Sequence, residues 1–439
     1  MTPETITRLL ASIHAGRLLV VCGAGLSMAP PSSLPSAWMV AERCFEKYRL
    51  ESDPNCDFAL RHDLEALAEH FARLDTLQSV FINNLVPWQD FVRTPNMGHA
   101  AIADFLITRA AVAGISSNYD TLIERRAWEY GADFLSSLDG DEATNVSVRQ
   151  APLLKFHGCS QRDRASTVWA PSQLNDQVIS TRVARTKVWM AANLRQKDLL
   201  IVGFWSDWEY LNAVIGEALT DVRPLSVTVI DPSLTDALEQ KSPQLWEIAH
   251  AHNVIFEHVQ ESGATALDEL RRAFSSNYLR QVLEAGRAIF ENTKGVQCDP
   301  AWLTVEHFDS EILYGLRRDA EGVSKTEPAK LLRPENPEAL GFFHLLLRQA
   351  GAVQHEYGYE LNGRRIRVLN GGQSFLGTLR GKFVEPPAAA QADITVAVGA
   401  TDLGLPDNVV RSGRPGDVIR PDATGLWYDL HGAIAELGI

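Results

Sequence analysis

The chain has 439 residues, 45% of them apolar, enough to bury a large core and to form two or more domains. Its formal net charge of -14 argues against a non-specific grip on nucleic-acid backbones or anionic lipid. The five cysteines, Cys22, Cys44, Cys56, Cys159 and Cys298, show no C-x-x-C spacing, which excludes a disulfide scaffold and fits free thiols in a reducing cytoplasm.

The first strand signal is "RLLVVC" (17–22). With "GAGLSMA" behind it the run imitates an export signal, but Glu4 lies upstream and the run carries the clearest glycine motif of the chain, so it reads as folded structure. No apolar stretch approaches the ~20 residues that a membrane helix requires. "VVCGAGLS" (20–27) is a strand entering a glycine turn, an arrangement that lets backbone N–H groups approach a pyrophosphate, with Ser27 adding a hydroxyl. The competing reading is a tight connection with no ligand. A dehydrogenase fingerprint does not fit, because Met28 stands where the third glycine belongs. Pro30, Pro31 and Pro35 should keep a helix from starting at once, so that a loop meets the ligand.

Between about 36 and 109, segments such as "HDLEALAEHFARL" have helical periodicity and predict a helical insertion covering the sheet edge. Further strands follow at "AVAGISS" (111–117), "APLLKF" (151–156), "DLLIVGF" (198–204) and "LSVTVI" (225–230), most with a helical pattern behind them. Strands alternating with helices make an α/β domain with a Rossmann-like, doubly wound parallel sheet, here residues 1–290, closing with "NVIFEHV" and a long helix near 263–290. Residues 291–439 lose that rhythm. One helix, "PEALGFFHLLLRQAG", and strand-like "RRIRVLNGG" and "ADITVAVGA" predict a C-terminal α+β domain for regulation, oligomerisation or partner binding, with "LNGGQSFLG" (369–377) as a turn between strands.

Ligands of such a sheet gather at the carboxyl ends of its strands. Asn118, in "SSNYDTLIE", ends the second strand with an amide that can hold a ribose hydroxyl or a water. Asp120 or Thr121 caps the next helix, and Thr121 with Glu124 has capping-box spacing. His157, in "LLKFHGCS", ends the third strand and is either a hydrogen-bonded structural group or a base suited to neutral pH. Cys159 reads as a packed or surface thiol. "IVGFWSDWEYL" (201–211) supplies Gly203, Ser206 and Asp207, with Ser206 and Glu209 at capping spacing. "VIDPS" (229–233) supplies Asp231 and Ser233 for a ribose or a base, with helix capping as the competing role of Ser233.

Taken in order, G-A-G-L-S, P-N-x-x-H (95–99), S-N-Y-D, K-F-H-G, V-G-F-x-S-D and I-D-P-S resemble the sirtuin-like fold family over about residues 1–260. Within it "GLSMAPPSSLPSAW" (25–38) and "NYDTLIE" (118–124) look more like the bacterial antiphage branch (the Thoeris effector, defence-associated sirtuins and HerA-associated subunits) than like histone deacylases. The two C-x-x-C pairs that hold zinc in sirtuin deacylases are missing, so no zinc is expected. The resemblance implies NAD as the substrate, cut between nicotinamide and ribose. It puts Asn118, Asp120 and His157 around the nicotinamide ribose, Gly23, Ala24, Gly25 and Ser27 around the phosphates, and Gly203, Phe204, Ser206, Asp231 and Ser233 along the adenosine side. It further implies a regulated cytoplasmic NAD+ hydrolase, homo-oligomeric, with a HerA-type ATPase as a candidate partner. A zinc-free deacylase and a non-catalytic sensor of NAD or ADP-ribose are the alternatives.

Overall fold

The computed structural model describes residues 1–205, 214–217, 223–383, 392–401 and 425–439. The chain divides into two compact units, Met1–Leu270 and Arg271–Ile439.

In the first unit, β1 (Leu18–Cys22), β2 (Ala113–Ser116), β3 (Leu153–Leu154), β4 (Asp198–Val202), β5 (Ser226–Ile230) and β6 (Ile255–Val259) form one sheet in the order β3-β2-β1-β4-β5-β6. Every pairing is parallel. The inner strands β1, β4 and β5 are rich in Leu, Val and Ile because helices cover both faces, and each of β1, β2, β4 and β5 is buried along its whole length. The order reverses between β1 and β4, and such a switch point opens a crevice at the carboxyl ends.

Register fixes what meets there. Cys22 pairs with Ser116 on one side and with Val202 on the other, so the next residues, Gly23, Ser117 and Gly203, come out level. Val202 pairs with Ile230, which brings Asp231 beside Gly203. Ile115 pairs with Leu154, and the third residue beyond each is Asn118 and His157.

β3 is shorter than the expected "APLLKF". The Lys155 N–H donates to Ser137 O (2.8 Å) and the Gly158 N–H turns back to Lys155 O (3.0 Å), so the chain leaves the ladder after Leu154. The expectation of no helix directly after the glycine turn is also corrected. After α1 (Pro3–His14), α2 (Ala24–Ser27) starts within the turn, and the prolines, which lie beyond its end, terminate it. The insertion is helical, with α3 (Ala37–Glu51) capped by Ser36 and α4 (Leu64–Arg73) capped by Asp63, and α5 (Met97–Ile107) returns the chain to the sheet. Its core of Phe45, Leu67, Phe71, Phe81 and Trp88 also takes in Tyr119 and Trp169, from the loops after β2 and β3. The insertion therefore roofs the carboxyl ends of those strands.

The second unit holds a mixed sheet in the order β11-β10-β9-β8-β7, from β7 (Val353–His355), β8 (Gly358–Leu361), β9 (Arg364–Asn370), β10 (Ile394–Val398) and β11 (Leu426–Tyr428). β7, β8 and β9 pair antiparallel, while β9, β10 and β11 run parallel. Packed with them is the helix Glu338–Gln349, through Phe343 and Leu346. "LNGGQSFLG" is not a turn between strands: Asn370 Oδ1 accepts from the Gly372 N–H (3.0 Å), and the turn leads into the helix Leu376–Lys382. Among the described residues no helix is long and apolar enough to cross a membrane.

Candidate functional site

One cavity of about 720 Å³ opens at the carboxyl ends of β1, β2, β4 and β5. Its floor is backbone against backbone. A Cβ on Gly23 would sit 2.7 Å from Gly203 O, one on Gly25 2.8 Å from Gly203 Cα, and one on Gly203, whose φ is +57°, 2.4 Å from Leu26 N. The Gly23 N–H donates to Val202 O (3.1 Å) and the Gly25 N–H to Gly203 O (2.9 Å). Gly23, Ala24 and Gly25 line the cavity, but the two glycine amides expected to face phosphate are committed to the end of β4. Cys22, just beneath, is no nucleophile, since burial pushes its thiol up to about 12.

Above the floor stands a buried polar network. Ser27 Oγ donates to Asp120 Oδ2 (2.9 Å) and accepts from Asn118 Nδ2 (3.2 Å). His99 Nδ1 accepts from the Asn96 N–H (3.1 Å), which leaves the ring proton on Nε2 to reach Ser27 Oγ at 3.0 Å. Burial lowers His99 to about 4, so this neutral tautomer holds at physiological pH. Asn118 Nδ2 also donates to Gly23 O (3.2 Å), which fixes the amide's orientation. The remaining amide atom, Asn118 Oδ1, is buried and accepts from no described group. Asp120 both orients the network and, through Oδ1, accepts from the Leu122 N–H (3.1 Å) at the start of α6 (Leu122–Glu129). Thr121 makes no side-chain cap, and Glu124 pairs with Lys155 instead of closing a capping box.

P-N-x-x-H now has a physical account. Asn96 caps α5 by accepting from the Gly98 and His99 N–H groups, and His99 closes a capping box whose other ring nitrogen reaches Ser27. The spacing held that signal, but a histidine in place of Glu or Gln at the third position hid it.

His157 closes the far end, 1% exposed, stacked on Tyr119 with ring centroids 5.8 Å apart and hydrogen-bonded to the Ser117 backbone. Burial, with the nearby Arg182 charge, lowers its pKa to about 3, so its imidazole is neutral. Tyr119 stacks in turn on Trp169 (4.3 Å), which joins Val40, Leu64 and Phe91 as an apolar wall of the cavity. Cys159 is buried.

On the β5 side, Phe204 and Trp205 line the cavity with their bulk packed inward, Phe204 against Gly23 and Trp205 through Nε1 to Leu238 O (2.8 Å). Asp231 Oδ1 accepts from the Ser233 N–H (2.8 Å), and Lys241 Nζ lies 3.8 Å from Asp231 Oδ2. Ser233 lines the cavity and caps nothing, since Leu234 holds the N-cap position of the helix Thr235–Lys241. Ser206, Asp207 and Glu209 lie outside the described residues.

Residues 113–252 match the family described as the SIR2-like domain, so the chain carries sirtuin-like sequence from β2 through β5. No curated protein matches the chain. Solved structures similar to it include a Sir2 homologue in complex with NAD, at 15% identity over 60% of this chain and 91% of that one, with a TM-score of 0.33. A Sir2 homologue mutant in complex with ADP-ribose is similar at 17% identity over 62% of this chain and 96% of that one, with a TM-score of 0.34.

Proposed function

We propose that this chain is an NAD+ hydrolase, releasing nicotinamide and ADP-ribose. The observation that carries the reading is the register of β2 and β3, which brings Asn118 and His157 level on one cavity, with the Asn118 amide already oriented by Ser27 and Gly23. The residues fit the ligand class: the cavity lies within the ~300–1,000 Å³ of small-molecule sites, and the unmatched Asn118 Oδ1 suits a ribose hydroxyl or a water as donor.

The chemistry asks little of a proton donor. The pyridinium leaving group is already cationic, so it departs without protonation and the transition state resembles an oxocarbenium ion, as in glycoside hydrolysis. Asn118 holds the ribose or aims the water at C1′. His157, neutral and held by its bond to the Ser117 backbone, accepts the water's proton late, after most of the C–N bond has broken, so a weak base suffices. The apolar wall of Leu64, Phe91 and Trp169 excludes bulk water beside the reacting sugar.

Asn118→Ala and His157→Ala are each expected to reduce nicotinamide release at least ~10²-fold, with an unchanged circular dichroism spectrum. Wild-type turnover in either variant overturns the assignment. Product chromatography separates this activity from deacylation, because O-acyl-ADP-ribose forms only with an acyl-peptide. Calorimetry showing NAD bound but never consumed would indicate a sensor. By the same resemblance we extend the reading to a regulated cytoplasmic effector of antiphage defence that depletes NAD as a homo-oligomer or beside a HerA-type ATPase, for which mass measurement of the assembly is the direct check.

A further inference from the structure

We propose that Lys155 and Glu124 form a buried charged brace that positions Asn118 and His157 for the reaction, Lys155 being a positioning residue and not a catalytic one. The inference rests on the function proposed above. Lys155 is 1% exposed and Glu124 2%, and Lys155 Nζ lies 2.7 Å from Glu124 Oε1. The same ammonium donates to the backbone carbonyl of Asp120. One side chain thus joins three points. It rises from the end of β3 two residues before His157, grips the peptide two residues after Asn118, and pairs with the first turn of α6.

Stability alone gives little reason for such a pair. Removing two charges from water costs several kcal/mol each, and well-packed apolar replacements of buried pairs are often neutral or stabilising. What an apolar pair cannot do is hold a carbonyl. The Asp120 carboxylate anchors Ser27, and Ser27 anchors the Asn118 amide, so a tilt of the Asp120 peptide propagates to the amide by two hydrogen bonds. The backbone bond from the Ser160 N–H to Tyr119 O (2.8 Å) spaces the two loops but leaves the Asp120 carbonyl free to turn. Burial favours a neutral Lys155, but Glu124, Cys159 and Asp120 outweigh it and raise the pKa, so the grip is that of an ammonium. Cys22 and His99 are the other titratable groups within its electrostatic reach.

The test is the full chain carrying both Lys155→Met and Glu124→Leu, read by thermal melting, ADP-ribose calorimetry, NAD kinetics and hydrogen exchange over residues 117–122. The brace predicts a melting temperature at or above wild type, unchanged ADP-ribose affinity, kcat lowered about tenfold or more with KM little changed, and faster exchange in that segment. Wild-type kcat together with wild-type exchange in the double variant overturns it. Should the double variant fail to fold, Glu124→Gln decides, because Lys155 then loses its main counter-charge and burial lowers its pKa. An alkaline fall in kcat absent from wild type supports the brace, and an unchanged pH profile overturns it. A wild-type protein that releases no nicotinamide overturns the hydrolase reading alone, and the exchange measurement still decides the brace.

Discussion

Ser27 has one hydroxyl and three partners: it donates to Asp120 and accepts from His99 and Asn118. The resemblance places it around the phosphates; its three partners lie 72, 91 and 93 residues away, and no local pattern in the sequence displays such separations. Asn118 and His157 were legible one at a time, as polar residues closing apolar runs, whereas the Lys155–Glu124 pair was not, because a lysine near the end of a strand and a glutamate in the first turn of a helix each read as exposed. Ser27→Ala leaves a buried carboxylate oxygen, amide hydrogen and imidazole N–H without their shared partner. The expected loss of stability is about 1–3 kcal/mol, together with a clear drop in kcat from a mis-set Asn118. Urea denaturation and nicotinamide release measure both, and an unaltered midpoint would show that the network adds nothing.

At the scale of elements, the strand and helix rhythm was readable because parallel strands covered on both faces are mostly apolar, as the Leu, Val and Ile of "LLVVC", "DLLIV" and "SVTVI" show. β3 was overread, since its continuation satisfies its amides outside the ladder. The turns after β1 and β4 interlock backbone against backbone. Gly203→Ala both strains a left-handed backbone and drives a methyl into Leu26 N, so it should cost several kcal/mol and loosen the cavity floor. Gly16→Ala is the control: its φ is +64°, but nothing lies within 4 Å of the added carbon, so only the conformational cost of about 1 kcal/mol remains. Equal losses of stability in the two variants, by chemical denaturation, would refute the interlock.

At the scale of the whole molecule, burial holds His99 at about 4, and His157 and His344 each at about 3, so all three are neutral. All lie below the ordinary 6.5, so in that interval the unfolded chain binds protons that the folded chain refuses. Stability is therefore complete above 6.5 and is lost as pH falls toward the folded values, at up to about 1.4 kcal/mol per pH unit for each ring. Urea midpoints should drop between pH 7 and pH 5, before most carboxylates titrate. A flat profile across that range would mean the rings are hydrated.

The spare acceptor on Asn118 carries a further consequence. No described protein group donates to that buried oxygen, so under the proposed function the ligand should bring a hydrogen to give. A sugar stripped of the right hydroxyl forfeits more than one contact, because it seals that oxygen away from water as well. If the proposed function holds, deoxy analogues should bind worse than their shape suggests.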